Sequence, residues 1–189
     1  MTDHSLPRRI TKPATTYQCP FMTVTHQRAE FEGFAKDYFV VNFSRRAGVV
    51  VVREGNVLLV QQYRLLINAE SWELPGGTIE ADEGLQEGLI RECIEETGVR
   101  PSDMKRLLDY YPGLDNVDNP TALFYSERSE VIGDFKKRHG EVTAVVWIPL
   151  EESLHMVFDG RILDVMTIAG LLAYEHTLRK GTVNFRLAR

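Results

Sequence analysis

Cysteine is nearly missing from this sequence: its 189 residues hold two, Cys19 and Cys93. That excludes a disulfide framework and any tetrahedral thiolate metal site. Long apolar runs are missing too. No stretch reaches the roughly 18 residues of a membrane-spanning helix, and the opening segment, MTDHSLPRRITKPATTYQ, has no apolar core of a secretory signal. The expected setting is a reducing cytoplasm, with no membrane partner. Positive charge is in deficit, with 22 Lys and Arg against 27 Asp and Glu and a net charge of -5. A broad nucleic-acid surface is thereby excluded. The five histidines are scattered and make no pair with metal-ligand spacing. Repeats and low-complexity tracts are absent.

What is present is an ordinary globular composition, 43% hydrophobic and 26% charged, on a chain long enough for one core with a small appendage. Residues 1–16 are polar and are expected to lie loosely on the surface. Two β segments, 21–30 and 36–43, turn near Gly33. They read as an antiparallel β extension, residues 1–45, ahead of a main domain at 46–189. There AGVVVV and VLLVQQYR flank REGN, a hairpin centred on Gly55. Their unbroken Val and Leu indicate strands covered on both faces. LLINAESWELPGG reads as a loop leading into a helix over about 84–97. Strands through MKRLLDYYPG and TALFYSE follow, then a charged loop, DFKKRHGE, a strand, VTAVVWIPL, and two helices, the second capped by Asp164. The order predicts an α/β fold, a mixed sheet with helices on its faces.

The helix over 84–97 carries an apolar stripe, Leu85, Leu89 and Cys93, and opposite it Glu92, Glu95 and Glu96 within five positions. Like charges three and four residues apart repel. No lysine is interleaved, Arg91 is the only base beside them, and Gly88 leaves room one turn earlier. A Gly-rich loop, LPGGT, precedes the helix and allows backbone to approach a ligand. A solvated acidic face is one reading. A site for a hard dication with oxygen donors, Mg2+ or Mn2+, is the other.

From Gly77 the chain reads Gly, five residues, Glu83, seven residues, Arg91-Glu92, Cys93 at a hydrophobic position, Ile94, Glu95-Glu96, Thr97, Gly98, Val99. This resembles the Nudix box at every defined position over residues 77–99. The resemblance implies an α/β/α sandwich and metal-dependent hydrolysis of a nucleoside diphosphate linked to a second moiety. It implies metal ligation by Glu92 and Glu96 with Glu95 assisting, and by the backbone carbonyl of Gly76. Arg91 and Glu83 would orient these groups.

Beyond the box, VQQYR before WELPGG, YYPG after it and GRILD before the last helix are similar to the Q-x-R, E-L-P-A-G, S-P-G and G-x-I-x-D runs of ADP-ribose pyrophosphatases. The N-terminal β layer of that group builds a dimer, so a homodimer is implied. The chain departs from the pattern at Gly76, which stands for Ala, at YPG for SPG, and at LDNVDNP, where a Glu is missing. A relative acting on another nucleoside diphosphate sugar is the companion reading. Arg64 matches the arginine that holds the diphosphate, a task suited to a bidentate guanidinium. Glu73 is read as contacting either the substrate or the box loop. Trp72 is read as stacking on a base or sugar, or as packing. The base in that group is a Glu on a late loop, and Glu141 is the acid at that place here. In some other Nudix groups a box glutamate, here Glu95, takes the role. Two rivals remain: a nucleoside triphosphate-sanitising enzyme, a type that tends to be shorter and to lack the hairpin and tail, and a non-catalytic nucleotide-binding module, which would be expected to lose box acids.

Overall fold

The computed structural model describes residues 6–133 and 142–180. In chain order the elements are β1 (Arg9–Ile10), β2 (Ala14–Cys19), β3 (Met22–Glu30), β4 (Ala35–Asn42), β5 (Arg46–Arg53), β6 (Asn56–Arg64), β7 (Ala69–Glu73), β8 (Gly76–Thr78) and α1 (Leu85–Thr97). Then come β9 (Val99–Ser102), β10 (Lys105–Tyr110), β11 (Val117–Asp118), β12 (Thr121–Ser126), β13 (Arg128–Val131), β14 (Val142–Pro149), α2 (Leu150–Phe158) and α3 (Val165–Lys180). The chain divides into two compact units, Met1–Ser44 with Tyr111–Pro120, and Arg45–Tyr110 with Thr121–Arg189.

In the first unit β3 is central. It pairs antiparallel with β1, β2 and β4, and β11 joins β4 in parallel, Val117 against Val41. The turn between β3 and β4 uses Gly33 in the left-handed region, φ 87. One expectation is corrected here. Residues 8–16 are not loosely draped, because β1 and the start of β2 pair with β3. Thr11 N donates to Arg28 O at 3.0 Å, and Arg28 N donates to Thr11 Oγ1 at 2.9 Å. The pairs within residues 1–45 are all antiparallel, as expected, and the one parallel strand of this sheet comes from further along the chain. LDNVDNP supplies β11, held by Asn42 Nδ2 on Asp118 Oδ2 at 2.8 Å and by Asn119 Nδ2 on Ser44 O at 2.6 Å. Such amide and carboxylate partners carry no hydrophobic period, so sequence pattern could not reveal them.

In the second unit the main sheet runs β10-β12-β5-β6-β14, with β7 paired to β6 and β8 to β5. β12 lies parallel to β5 and the other pairs are antiparallel, so the sheet is mixed. Residues 49–52 and 57–60 are all buried. Val50, Val52, Val57 and Leu59 pack with Met156 of α2 and Met166, Leu171 and Tyr174 of α3. Ala47, Val49, Val51 and Leu58 pack with Leu89 and Cys93 of α1. Alternate residues thus face opposite helical layers, which accounts for the continuous apolar runs. The expected α/β/α sandwich is found. The segment read as a loop, LLINAESWELPGG, instead contains β7 and β8, strands of five and three residues. Its tight turn passes through Asn68 at φ 48, a conformation Asn tolerates. Strands this short show no readable alternation. No helix among the described residues is long and apolar enough to cross a membrane.

Candidate active site

Helix α1 begins after Gly84, whose N–H donates to Glu87 Oε2 at 3.3 Å, and ends at Gly98 in the left-handed region, with its N–H on Ile94 O at 2.8 Å. Leu89 and Cys93 are in the core, and burial pushes the Cys93 thiol up to about 12. Glu92, Glu95 and Glu96 differ in environment. Glu95 is half exposed, whereas the Glu92 side chain is only 19% exposed. Glu96 is turned inward, accepting from Gln62 Nε2 of β6 at 3.2 Å and from the Gly76 N–H at 2.9 Å.

Two glycines shape this contact, Gly77 on the side of the helix and Gly76 on the side of β5. A Cβ on Gly77 would lie 2.7 Å from the carboxyl carbon of Glu92. At Gly76, φ is 153, and a Cβ would meet Ala47 O of β5 at 2.3 Å. The helix acids therefore sit against bare backbone of β8.

Charge is unevenly balanced across the site. Arg91 forks onto Glu83, Nε to Oε1 at 2.7 Å and Nη2 to Oε2 at 2.9 Å, and reaches Glu92 Oε1 at 3.0 Å and Glu95 Oε2 at 3.5 Å. Its bond holds the Glu83 carboxyl down at about 2. Arg91 thus bridges Glu83, Glu92 and Glu95. Burial raises the Glu92 pKa in spite of Arg91. Burial also lifts Glu96 to about 7, with repulsion from Glu92 and Glu73 adding to the rise, because its two donors are neutral.

Among the described residues, no three His, Cys, Asp or Glu side chains converge as a closed cation cage. The donors still fit a hard divalent ion. They are carboxylate oxygens, two of them desolvated and mutually repelling, and the backbone of Gly76 adjoins Glu96.

The substrate candidates fall on β6 and β7. Arg64 pairs with Glu73, Nε to Oε1 at 2.7 Å and Nη2 to Oε2 at 2.5 Å. Glu73 is 5% exposed at its side chain and Arg64 is 44% exposed. The Glu73 bond raises the Arg64 pKa, with Asp164 and Glu96 contributing through space. Glu73 is therefore engaged with Arg64. Trp72 packs against the main core. Glu141 and the rest of DFKKRHGE lie outside the described residues. Sequence reasoning gave no role to Gln62, the Gln of the Q-x-R run, or to Thr167. Gln62 is a buried amide on β6, and its place two residues before Arg64 in the Q-x-R run was the available signal. Thr167, fully buried on α3, accepts from Leu74 N at 2.8 Å, and nothing in the sequence marks it.

The NUDIX domain family matches residues 42–164. A CMP-5'-(N-acetyl-N-hydroxy-3-aminopropyl)phosphonate hydrolase of Streptomyces rubellomurinus is 31% identical over 129 residues, 67% of this chain and 62% of that protein. An ADP-ribose pyrophosphatase of Mycobacterium tuberculosis is 31% identical over 146 residues, 75% of this chain and 69% of that protein. The chain thus spans less than two thirds of the first relative and slightly more than two thirds of the second. A crystal structure of an ADP compounds hydrolase shares the fold, with a TM-score of 0.81 at 16% identity, over 97% of this chain and 100% of that one.

Proposed function

The chain belongs to the NUDIX family as a Nudix hydrolase, and on that premise we propose that it cleaves the diphosphate bond of ADP-ribose or a related nucleoside diphosphate sugar. The products are a nucleoside monophosphate and a sugar phosphate. One observation carries the reading: desolvated Glu92 and Glu96 lie over the glycines of β8, with the Arg64 guanidinium close enough to feel Glu96. Anion-holding and cation-holding groups together are what a diphosphate requires. The Mycobacterium tuberculosis relative, an ADP-ribose pyrophosphatase, supports the substrate class.

Nudix hydrolases generally need divalent metal ions, and we assign Mg2+, with Mn2+ as a substitute, to Glu92, Glu96, Glu95 and the Gly76 carbonyl. An ion held by these residues would supply charge neutralisation at the phosphates and a more acidic water. The chain's own groups do the rest. Arg64 spends Nε and Nη2 on Glu73, which leaves Nη1 for a phosphate oxygen. Arg91 fixes Glu83 and Glu92. Water oxygen bonds to one phosphorus while that phosphorus parts from the bridging oxygen, whose electron pair leaves with the second phosphate. The water proton passes to a carboxylate, which we assign by sequence position to Glu141, with Glu95 as the box alternative. We also propose a homodimer through the N-terminal sheet, where Tyr17, Phe34 and Phe39 are more than half exposed.

Incubation with Mg2+ and a panel of ADP-ribose, GDP-mannose, UDP-glucose and CDP-choline, with product identification, tests this reading. Cleavage of a diphosphate sugar to two monophosphates supports it. Rapid release from a nucleoside triphosphate, with no diphosphate sugar cleaved, overturns it.

A further inference from the structure

The GRILD run and the helix after it have no part in the chemistry above, yet their side chains reach the loop that carries Gly76. Asp164 precedes α3 and accepts the Thr167 N–H on Oδ2 at 2.8 Å. The same Oδ2 accepts the Thr167 hydroxyl at 2.7 Å. A hydroxyl has one hydrogen. With it committed to Asp164, Thr167 Oγ1 can only accept from its remaining neighbour, the Leu74 N–H at 2.8 Å. Thr167 is fully buried and Leu74 is 1% exposed, so water cannot replace this bond.

Leu74 stands between two functional neighbours. Glu73, the preceding residue, holds Arg64. Two positions after Leu74, Gly76 donates to Glu96. Pro75 between them accepts Val49 N at 3.1 Å. A shift of Leu74 would therefore move the Arg64 partner and the backbone beside Glu96 together.

We propose that Thr167, with its hydroxyl oriented by Asp164, is a positioning residue that fixes the Leu74 amide and thereby sets Arg64 and the Glu92–Glu96 cation site in register. This rests on the function proposed above. Thr167→Val keeps the side-chain shape and the helix cap, which uses the Thr167 backbone, but removes the acceptor. Thr167→Ser restores the acceptor. Mn2+ affinity is read without substrate by electron paramagnetic resonance, alongside kcat, KM and thermal midpoint. In Thr167→Val, kcat is expected to fall and the Mn2+ dissociation constant to rise, each by roughly 10- to 100-fold. Thr167→Ser is expected to return both to within a few-fold of wild type. Should Thr167→Val fail to fold, Thr167→Ala carries the comparison, since it keeps the Asp164 cap on the backbone N–H and removes only the acceptor and a methyl group, and a loss in the same direction is expected. A lowered thermal midpoint with kcat, KM and Mn2+ affinity all within twofold of wild type overturns the proposal and leaves Thr167 a structural residue. Failure of wild type to bind Mn2+ or cleave any diphosphate sugar overturns the functional reading instead.

Discussion

Arg64 and Glu73 form a two-pronged ion pair in which the carboxylate is buried and the guanidinium is half in solvent. The asymmetry predicts unequal mutants. Arg64→Ala leaves a buried carboxylate without its cation and is expected to cost roughly 3 kcal/mol of stability, while also raising KM. Glu73→Gln leaves a cation that can still be hydrated, so it costs less stability and raises KM more than it lowers kcat. Urea unfolding with steady-state kinetics checks both. Equal destabilisation by the two substitutions would contradict this account.

Glu96→Gln removes a ligand charge, so Mg2+ binding should weaken and high Mg2+ should partly restore the rate. Metal-free stability should hold level or rise. Gln62 can turn its carboxamide to accept from the new amide, so neither donor need be left unpaired. The pH dependence follows from the shift to about 7. Unfolded, Glu96 ionises from its ordinary value of 4.5, while folded it resists until about 7. The folded state therefore holds more protons between these values, and wild type loses stability as pH rises through them. The variant does not titrate. Its advantage should be absent near pH 4.5, grow to at most about 3 kcal/mol above pH 7, and shrink when Mg2+ saturates wild type. Denaturation in EDTA across pH tests it.

The base assignment predicts a different failure. Glu141→Gln should lower kcat by roughly 10²–10⁴-fold, leave metal affinity near wild type, and resist rescue by excess Mg2+. If kcat is retained, Glu95→Gln becomes the next variant to measure.

The exposed aromatics of the N-terminal sheet predict a dimer at micromolar concentration in sedimentation. Phe39→Asp, on a side chain 57% exposed whose ring lies tilted 4.9 Å from that of His26, should shift the dimer toward monomer. A wild-type monomer at that concentration would contradict the assignment.

The box helix was legible because three signals coincide over 84–97: an apolar stripe, glycines at both ends, and acids without interleaved lysines. The buried hairpin of β5 and β6 was legible from its unbroken Val and Leu. What escaped reading depends on contacts far apart in sequence. Thr167 and Leu74 are 93 residues apart, and Asn42 and Asp118 are 76 apart. No local period links such pairs. The inward turn of Glu96 escaped for a related reason. Helical spacing places it beside Glu92 and Glu95, but only the approach of β6 and β8 distinguishes a buried carboxylate from a solvated one.

Phosphorus NMR of ADP-ribose incubated with the protein and Mg2+ tests the central claim most directly. The diphosphate resonances should disappear, two phosphomonoester resonances should grow in equal amounts, and EDTA or the Glu96→Gln substitution at low Mg2+ should suppress both changes. An unchanged diphosphate signal for ADP-ribose and for GDP-mannose, at Mg2+ concentrations that saturate the protein, would contradict the account.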